Sequence, residues 1–272
     1  MSLAPHAAPV RAGAKFGQVG LIEAMQFDGL TDAFDRVAMG ESTDEHNARF
    51  EITREQQDEF AAASYARLAR AQAEGILDDE IVPFEAKAGR KTVTVSVDDG
   101  LRAETTVESL AALRPGFEPD GTVTAGNASQ ITDGAAAVVL VSDNCAAEQD
   151  LTGLAKIVST GFVAVPDVSL HSQPADAIEQ ALSRAGRSTD ELQAVAINDA
   201  FAAVGVASSR QLGVDSEIVN AHGRPVSLGH PIGASGTRIV GHLARRLQQL
   251  GTGSLGAAGI CGGGGQGSAI VL

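Results

Sequence analysis

Two loops in this sequence could carry proton or acyl chemistry. The first is Gly229-His230-Pro231-Ile232-Gly233-Ala234-Ser235-Gly236, where a histidine stands between glycines. The second is Cys261-Gly262-Gly263-Gly264-Gly265-Gln266-Gly267, where a cysteine enters a run of four glycines. Glycine costs conformational entropy, so such a run needs a reason, and close approach of a ligand to the backbone is one. A thiol can serve as an acid or base if its site lowers its pKa toward neutrality. A third polar residue, Asn198, ends the apolar run Ala194-Val195-Ala196-Ile197. Each residue also has a structural reading. Asn198 could cap the next helix, His230 could be a loop histidine, and Cys261 could be a small buried hydrophobe.

The elements that must position them follow from periodicity. Ile239, Val240, Leu243, Leu247 and Leu250 recur at helical spacing after the His230 loop, with Arg238, Arg245 and Arg246 on the other side, and Gly251 closes the helix. His230 therefore sits at a helix N-terminus, where backbone N–H groups and positive potential are available. Ser254 to Ile260 and Ser268 to Leu272 read as strands flanking the Cys261 loop. Upstream, Leu154 to Val165 is strand-like, and Pro174 starts a helix that Gly186 ends. The run Ala135 to Ser142 is apolar on both faces and predicts a buried strand. Thr53 with Gln56 fits a capping box for a helix reaching Gly75, with Arg54, Glu55, Asp58, Glu59, Arg67 and Arg70 expected on a solvated face. Glu80 to Phe84 and Thr92 to Val97 predict two strands, and Val107 to Leu113 a helix that stops before Pro115. Residues 1 to about 50 read as short helices and loops without a strong strand.

Composition bounds the function. The 272 residues suffice for one large or two modest domains, with 44% apolar residues and only 4% aromatics. A net charge of −14 argues against a nucleic-acid partner but not against a small anion held by local cations and helix ends. Two cysteines make neither a disulfide framework nor a metal site. No signal peptide or spanning helix is visible, so a cytoplasmic protein without membrane contact is expected.

Four stretches together resemble the thiolase family. They are Asn198-Asp199-Ala200-Phe201-Ala202, the His230 loop, the Cys261 loop, and Val123 to Ser129 continuing to Asp133-Gly134-Ala135-Ala136-Ala137. Asp28 to Phe34 with Met39-Gly40 looks most like the short-chain acetoacetyl-CoA thiolases. The resemblance implies an α/β thiolase-like fold: a loop domain over 1–131 that binds coenzyme A and makes oligomer contacts, a leftover strand of the N-terminal domain over 132–150, and a βαβαβαββ C-terminal domain over 151–272. It implies Claisen condensation of two acetyl-CoA to acetoacetyl-CoA and CoA, or the reverse thiolysis. No cofactor or metal is implied beyond the coenzyme A thioester substrate. Cys261 matches the acid/base, His230 the residue that activates the nucleophile and helps bind the thioester oxygen, Asn198 the residue that holds a water there, and Gly263 an N–H donor of the second oxyanion hole. Coenzyme A contacts carry over to Leu30, Met39, Arg102, Phe117, Ala125, Ser129 and Ala200. A dimer or tetramer is implied, with residues 1 to 40 taking part.

The sequence also departs from that pattern. The family's nucleophilic cysteine precedes the segment that Met1-Ser2 resembles, and Cys145, in Ser142-Asp143-Asn144-Cys145-Ala146-Ala147, has no glycine motif around it. The expectation is therefore a thiolase with the N-terminal half-domain mostly absent, without its nucleophile and inactive alone. Met1 falls where the family has an internal Met, which favours a misplaced start. The alternative is a non-catalytic coenzyme A or acyl-CoA binding remnant. A ketosynthase-like enzyme would carry a second histidine where Cys261 stands. Asp199 replaces the usual Glu, and Ala38 stands where a His is common before Met39-Gly40.

Overall fold

The structure, a computed structural model, describes residues 1–164, 167–223 and 225–272. Two-residue strands β1 (His6–Ala7) and β2 (Ile22–Glu23) pair antiparallel, and a π-helical turn spans Met25–Gly29. Helices α1 (Met39–Asn47) and α2 (Arg54–Ala73) follow, then the hairpin β3 (Phe84–Ala88) and β4 (Lys91–Val95), and the short helices α3 (Val107–Ala111) and α4 (Asp143–Glu148). The second half contains β5 (Ser159–Ala164), α5 (Gln173–Ala185), β6 (Ala194–Asn198), α6 (Ala202–Leu212), α7 (Pro225–Leu228), α8 (Ile232–Leu250), β7 (Gly256–Gly262) and β8 (Gln266–Val271). The expected end of the first of these strands, Val165, lies outside the described residues.

Helix α2 begins as its capping box predicts. Thr53 Oγ1 accepts from Gln56 N at 3.3 Å, and Gln56 Oε1 accepts from Thr53 N at 3.1 Å. Such a cap is worth about 1 kcal/mol. Asp58 departs from the expected solvated face. It is buried because its carboxylate accepts from Arg54 Nε at 2.7 Å and from Asn127 Nδ2 at 2.9 Å. Burial of that charge is offset by two charge-assisted hydrogen bonds.

The sheet of the second half has the order β5-β8-β7-β6, with β6 and β7 parallel. Side chains alternate across it. Val195, Ile197, Ala257, Ala269 and Val271 face the cluster built on Ile178 and Leu182 of α5. Ala194, Ala196, Ala258 and Leu272 face Ile239, Leu243 and Leu247 of α8. Helix α5 lies very close to the sheet, since a Cβ on Gly161 would fall 2.0 Å from Ala177 O and one on Gly267 2.3 Å from Gln173 O.

Three expectations are corrected. The βαβαβαββ order would place a strand between α6 and α8, but among the described residues only an isolated bridge, Val195↔Val219, forms there. Asn220, with φ 49, turns the chain away and completes the edge with its side chain. Its Oδ1 accepts from Ile197 N at 2.9 Å, and its Nδ2 donates to Ile197 O at 3.0 Å. The run 135–142 is not a strand. Among the described residues no strand lies beside it to pair its backbone, and Val139 and Leu140 are 89% and 72% exposed. It lies along α8, where a Cβ on Gly134 would meet Pro231 at 2.8 Å and one on Gly241 would meet Val138 at 3.5 Å. The predicted strand at Glu80 to Phe84 starts only at Phe84, because Glu80 is engaged by α8: its Oε1 lies 2.6 Å from His242 Nδ1.

Candidate active site at the ends of the parallel strands

Strands β6 and β7 run parallel, so Asn198 and Cys261 end at one edge of the sheet. Helix α8 leads back into β7 and brings its N-terminus, with His230 just before it, to the same edge. Carboxyl ends of parallel strands are the usual place for a ligand in α/β folds.

The backbone of residues 127–130 joins the parts. Ser129 N donates to Ala200 O at 2.9 Å, Ala202 N to Asn127 O at 2.8 Å, and His230 N to Gln130 O at 3.0 Å. Gln130 Nε2 also donates to Gly100 O at 2.7 Å, which ties in the loop bearing Arg102. Asn127 is the hub of this turn, accepting from Thr124 N and donating to Asp58 and Thr122 O.

The His230 ring has a defined tautomer. Ser235, fully buried on the first turn of α8, has its Oγ 2.6 Å from His230 Nδ1. That hydroxyl donates to Pro231 O, so its oxygen accepts from Nδ1–H and Nε2 is left as a proton acceptor. Burial, reinforced by the Arg238 cation, lowers the imidazole pKa to about 4, so it is neutral at pH 7. Asn198 is fully buried, and neither its Oδ1 nor its Nδ2 has a protein partner. A simple helix cap would not look like this: an amide desolvated and unpaired at a strand end is oriented for a ligand or a water.

Cys261 is half-buried as a residue, and the site does not activate its thiol as expected. Burial against the closely packed strand ends pushes it up to about 12, and the Asp199 carboxylate acts in the same direction. The glycine loop after it is a three-residue turn between the last β7–β8 pair, Gly262↔Gln266. Its backbone is approached from the first half of the chain: a Cβ on Gly263 would lie 2.6 Å from Met39 Cε, and one on Gly264 2.7 Å from Phe34.

The expected coenzyme A residues are only partly brought together. Leu30, Met39 and Phe117 are linked through α1, and Ser129 and Ala200 through their backbones. Met39 N donates to Leu30 O, the Phe117 ring covers Gly40, and it meets the Phe201 ring edge-on at 6.4 Å. Ala125 is exposed on the turn that Asn127 holds. Arg102 stands apart, its Nη1 donating to Asp99, Gly100 and Leu101 carbonyls of its own loop. Sequence reasoning missed Ser235, Gln130, Asn127, Phe34 and Arg238. Ser235, Asn127 and Phe34 lay within the stretches that carry the resemblance, while Gln130 and Arg238 carried no site signal.

Family models separate what this edge belongs to. "Thiolase, N-terminal domain" matches residues 1–144, and "Thiolase, C-terminal domain" matches residues 151–272. The chain belongs to the thiolase family. The "Probable acetyl-CoA acetyltransferase" of Mycolicibacterium smegmatis is 47% identical over 274 residues, which cover 100% of this chain and 70% of that protein. "Acetyl-CoA acetyltransferase, cytosolic" of Rattus norvegicus is 40% identical over 100% of this chain and 69% of its own length. The crystal structure of the Bacillus anthracis acetyl-CoA acetyltransferase superposes with a TM-score of 0.93 at 39% identity, covering 98% of this chain and 68% of that one. The N-terminal match corrects the expectation that this half-domain is mostly absent, and with it the ground for an inactive chain or a binding remnant. No helix among the described residues is long and apolar enough to cross a membrane.

Proposed function

We propose that this thiolase transfers acyl groups between coenzyme A thioesters, condensing two acetyl-CoA to acetoacetyl-CoA and CoA and running the reverse thiolysis. The observation that carries the reading is the meeting of Asn198, His230 and Cys261 at one sheet edge, with an unpaired amide, an unprotonated Nε2 and a protonated thiol. Names of the relatives support the substrate class.

Each protonation state fits a step. His230 Nε2 takes the proton of the nucleophilic thiol, a group that Cys261 does not supply and that peptide mapping identifies, and as imidazolium it donates to the thioester oxygen. A thiol held protonated is first an acid: Cys261 gives its proton to the departing CoA thiolate as the acyl-enzyme forms. The Cys261 thiolate then removes the α-proton of the second acetyl-CoA, and the enolate carbon attacks the acyl carbon and releases the enzyme thiolate. The Asn198 amide, through a water, and the Gly263 N–H stabilise the two oxyanions, each donor worth roughly 3 kcal/mol. Leu30, Met39, Phe117, Ala125, Ser129 and Ala200 hold the coenzyme arm, and Arg102 lies on the nucleotide side. Residues 151–272 supply the chemistry and residues 1–131 the coenzyme wall. A cytoplasmic homo-oligomer is the form in which we expect it to act.

Thiolysis of acetoacetyl-CoA by free CoA tests the activity, and peptide mapping of the acetylated enzyme names the nucleophile. Turnover lost in both His230→Ala and Cys261→Ala supports the reading; turnover that survives Cys261→Ala contradicts it.

A further inference from the structure

Arg238 does not lie on the solvent side of α8, where the helical pattern put it. The side chain folds back over the helix N-terminus, and Nη2 donates to Gly229 O at 2.8 Å. Nε is buried without a hydrogen-bond partner. Gly229 adopts φ +84, and a Cβ there would fall 1.8 Å from Thr132 Oγ1, so the carbonyl that precedes His230 belongs to a constrained turn. Two carboxylates act on the guanidinium from other elements, Asp98 from the loop after β4 and Asp199 from the loop after β6. The Asp98 loop is packed against the turn itself, since a Cβ on Gly100 would lie 3.0 Å from Leu228 O and 3.1 Å from Ser227 O. That same loop carries Arg102 and is held to Gln130, whose carbonyl accepts from His230 N.

Building on the acyl-transfer reading above, we propose that Arg238 is a positioning residue for the reaction: it fixes the Gly229–His230 peptide from within α8 and links the Asp98–Arg102 loop to the imidazole. It touches no reacting atom. Its charge also bears on the ring. Burial is the larger cause of the low His230 pKa, and Arg238 adds to it. The ring's hydrogen-bond partner, Ser235, is uncharged, while Asp98 and Asp199 act on the guanidinium and Asp199 also acts on Cys261. The cation thus adds to the burial that holds Nε2 as a proton acceptor.

The test is a [15N]-histidine NMR titration of the intact protein together with thiolysis kinetics, for wild type, Arg238→Gln and Arg238→Lys. The His230 midpoint is expected to rise by about one unit in Arg238→Gln and to stay in place in Arg238→Lys. In both variants kcat is expected to fall roughly tenfold, as the carbonyl loses its planar donor. An unmoved midpoint in a folded Arg238→Gln overturns the proposal. If Arg238→Gln does not fold, Arg238→Lys decides: reduced kcat at an unmoved midpoint supports it, and wild-type kcat contradicts it. A moved midpoint in a protein without thiolysis would instead refute the acyl-transfer reading and leave the structural link standing.

Discussion

Ser235 and Cys261 set the protonation states on which the site depends. Ser235→Ala removes the acceptor of His230 Nδ1–H and leaves that donor half-buried and unpaired, at a cost of about 1–2 kcal/mol. The expected outcome is roughly a tenfold loss in kcat/KM with little change in KM for CoA, read from steady-state thiolysis. For Cys261, with the thiol pushed up to about 12, alkylation by iodoacetamide is expected to be slow at pH 7 and to keep rising through pH 10. A plateau near pH 8, followed by mass spectrometry of the Cys261 peptide, would show an activated thiolate in the free enzyme. The identity of these residues was legible in the sequence because glycines on both sides leave few structural reasons for a His or a Cys there. Their pKa values were not, because desolvation depends on what packs around them, and Asp199 meets Cys261 only in three dimensions.

At the level of elements, α8 and the 122–130 turn are the parts that must hold still. Helix α8 buries Ile239, Leu243 and Leu247 and is tied to the first half by Glu80 and His242. Leu243→Ala is expected to destabilise by about 2–4 kcal/mol in urea unfolding. The 122–130 turn rests on Asn127, and Asn127→Ala strands the buried Asp58 without one of its donors. A several-fold rise in KM for CoA, with kcat less affected, is the expected kinetic result. Helices α2, α5 and α8 and strands β6, β7 and β8 could be read from periodicity and punctuation, since each makes its own local pattern. The run 135–142 could not: an apolar pattern states that a segment seeks burial, but not whether a neighbouring strand is there to pair with it. Asp58 and Arg238 were misplaced for the opposite reason, because a charge at an exposed helical position can still be drawn inward by a partner distant in sequence.

For the whole molecule, two neutral histidines, His171 buried and His230 half-buried, make stability fall on acidification. Burial lowers both His171 and His230 to about 4, below the ordinary value of 6.5. Between those values the unfolded chain binds protons that the folded one does not, so stability is full above about pH 6.5 and is lost as pH falls toward 4. Melting followed from pH 7.5 to 4.5 is expected to show this decline, and His171→Gln should flatten it. The run with Val139 and Leu140 is a contiguous exposed apolar stretch. Sedimentation velocity is expected to show self-association, weakened by Leu140→Lys; a monomer at all concentrations would contradict that.

The most direct test of the site is exchange of the acetyl protons of acetyl-CoA with deuterated water, followed by mass spectrometry of the recovered thioester. It reads proton abstraction itself, apart from net turnover. The intact protein is expected to incorporate deuterium into the methyl group, with the rate falling to background in Cys261→Ala and by a factor on the order of a hundred in Asn198→Ala. Exchange that continues undiminished in Cys261→Ala would show that the cysteine at the end of β7 is not the acid/base, and that the chemistry assigned to this edge of the sheet is wrong.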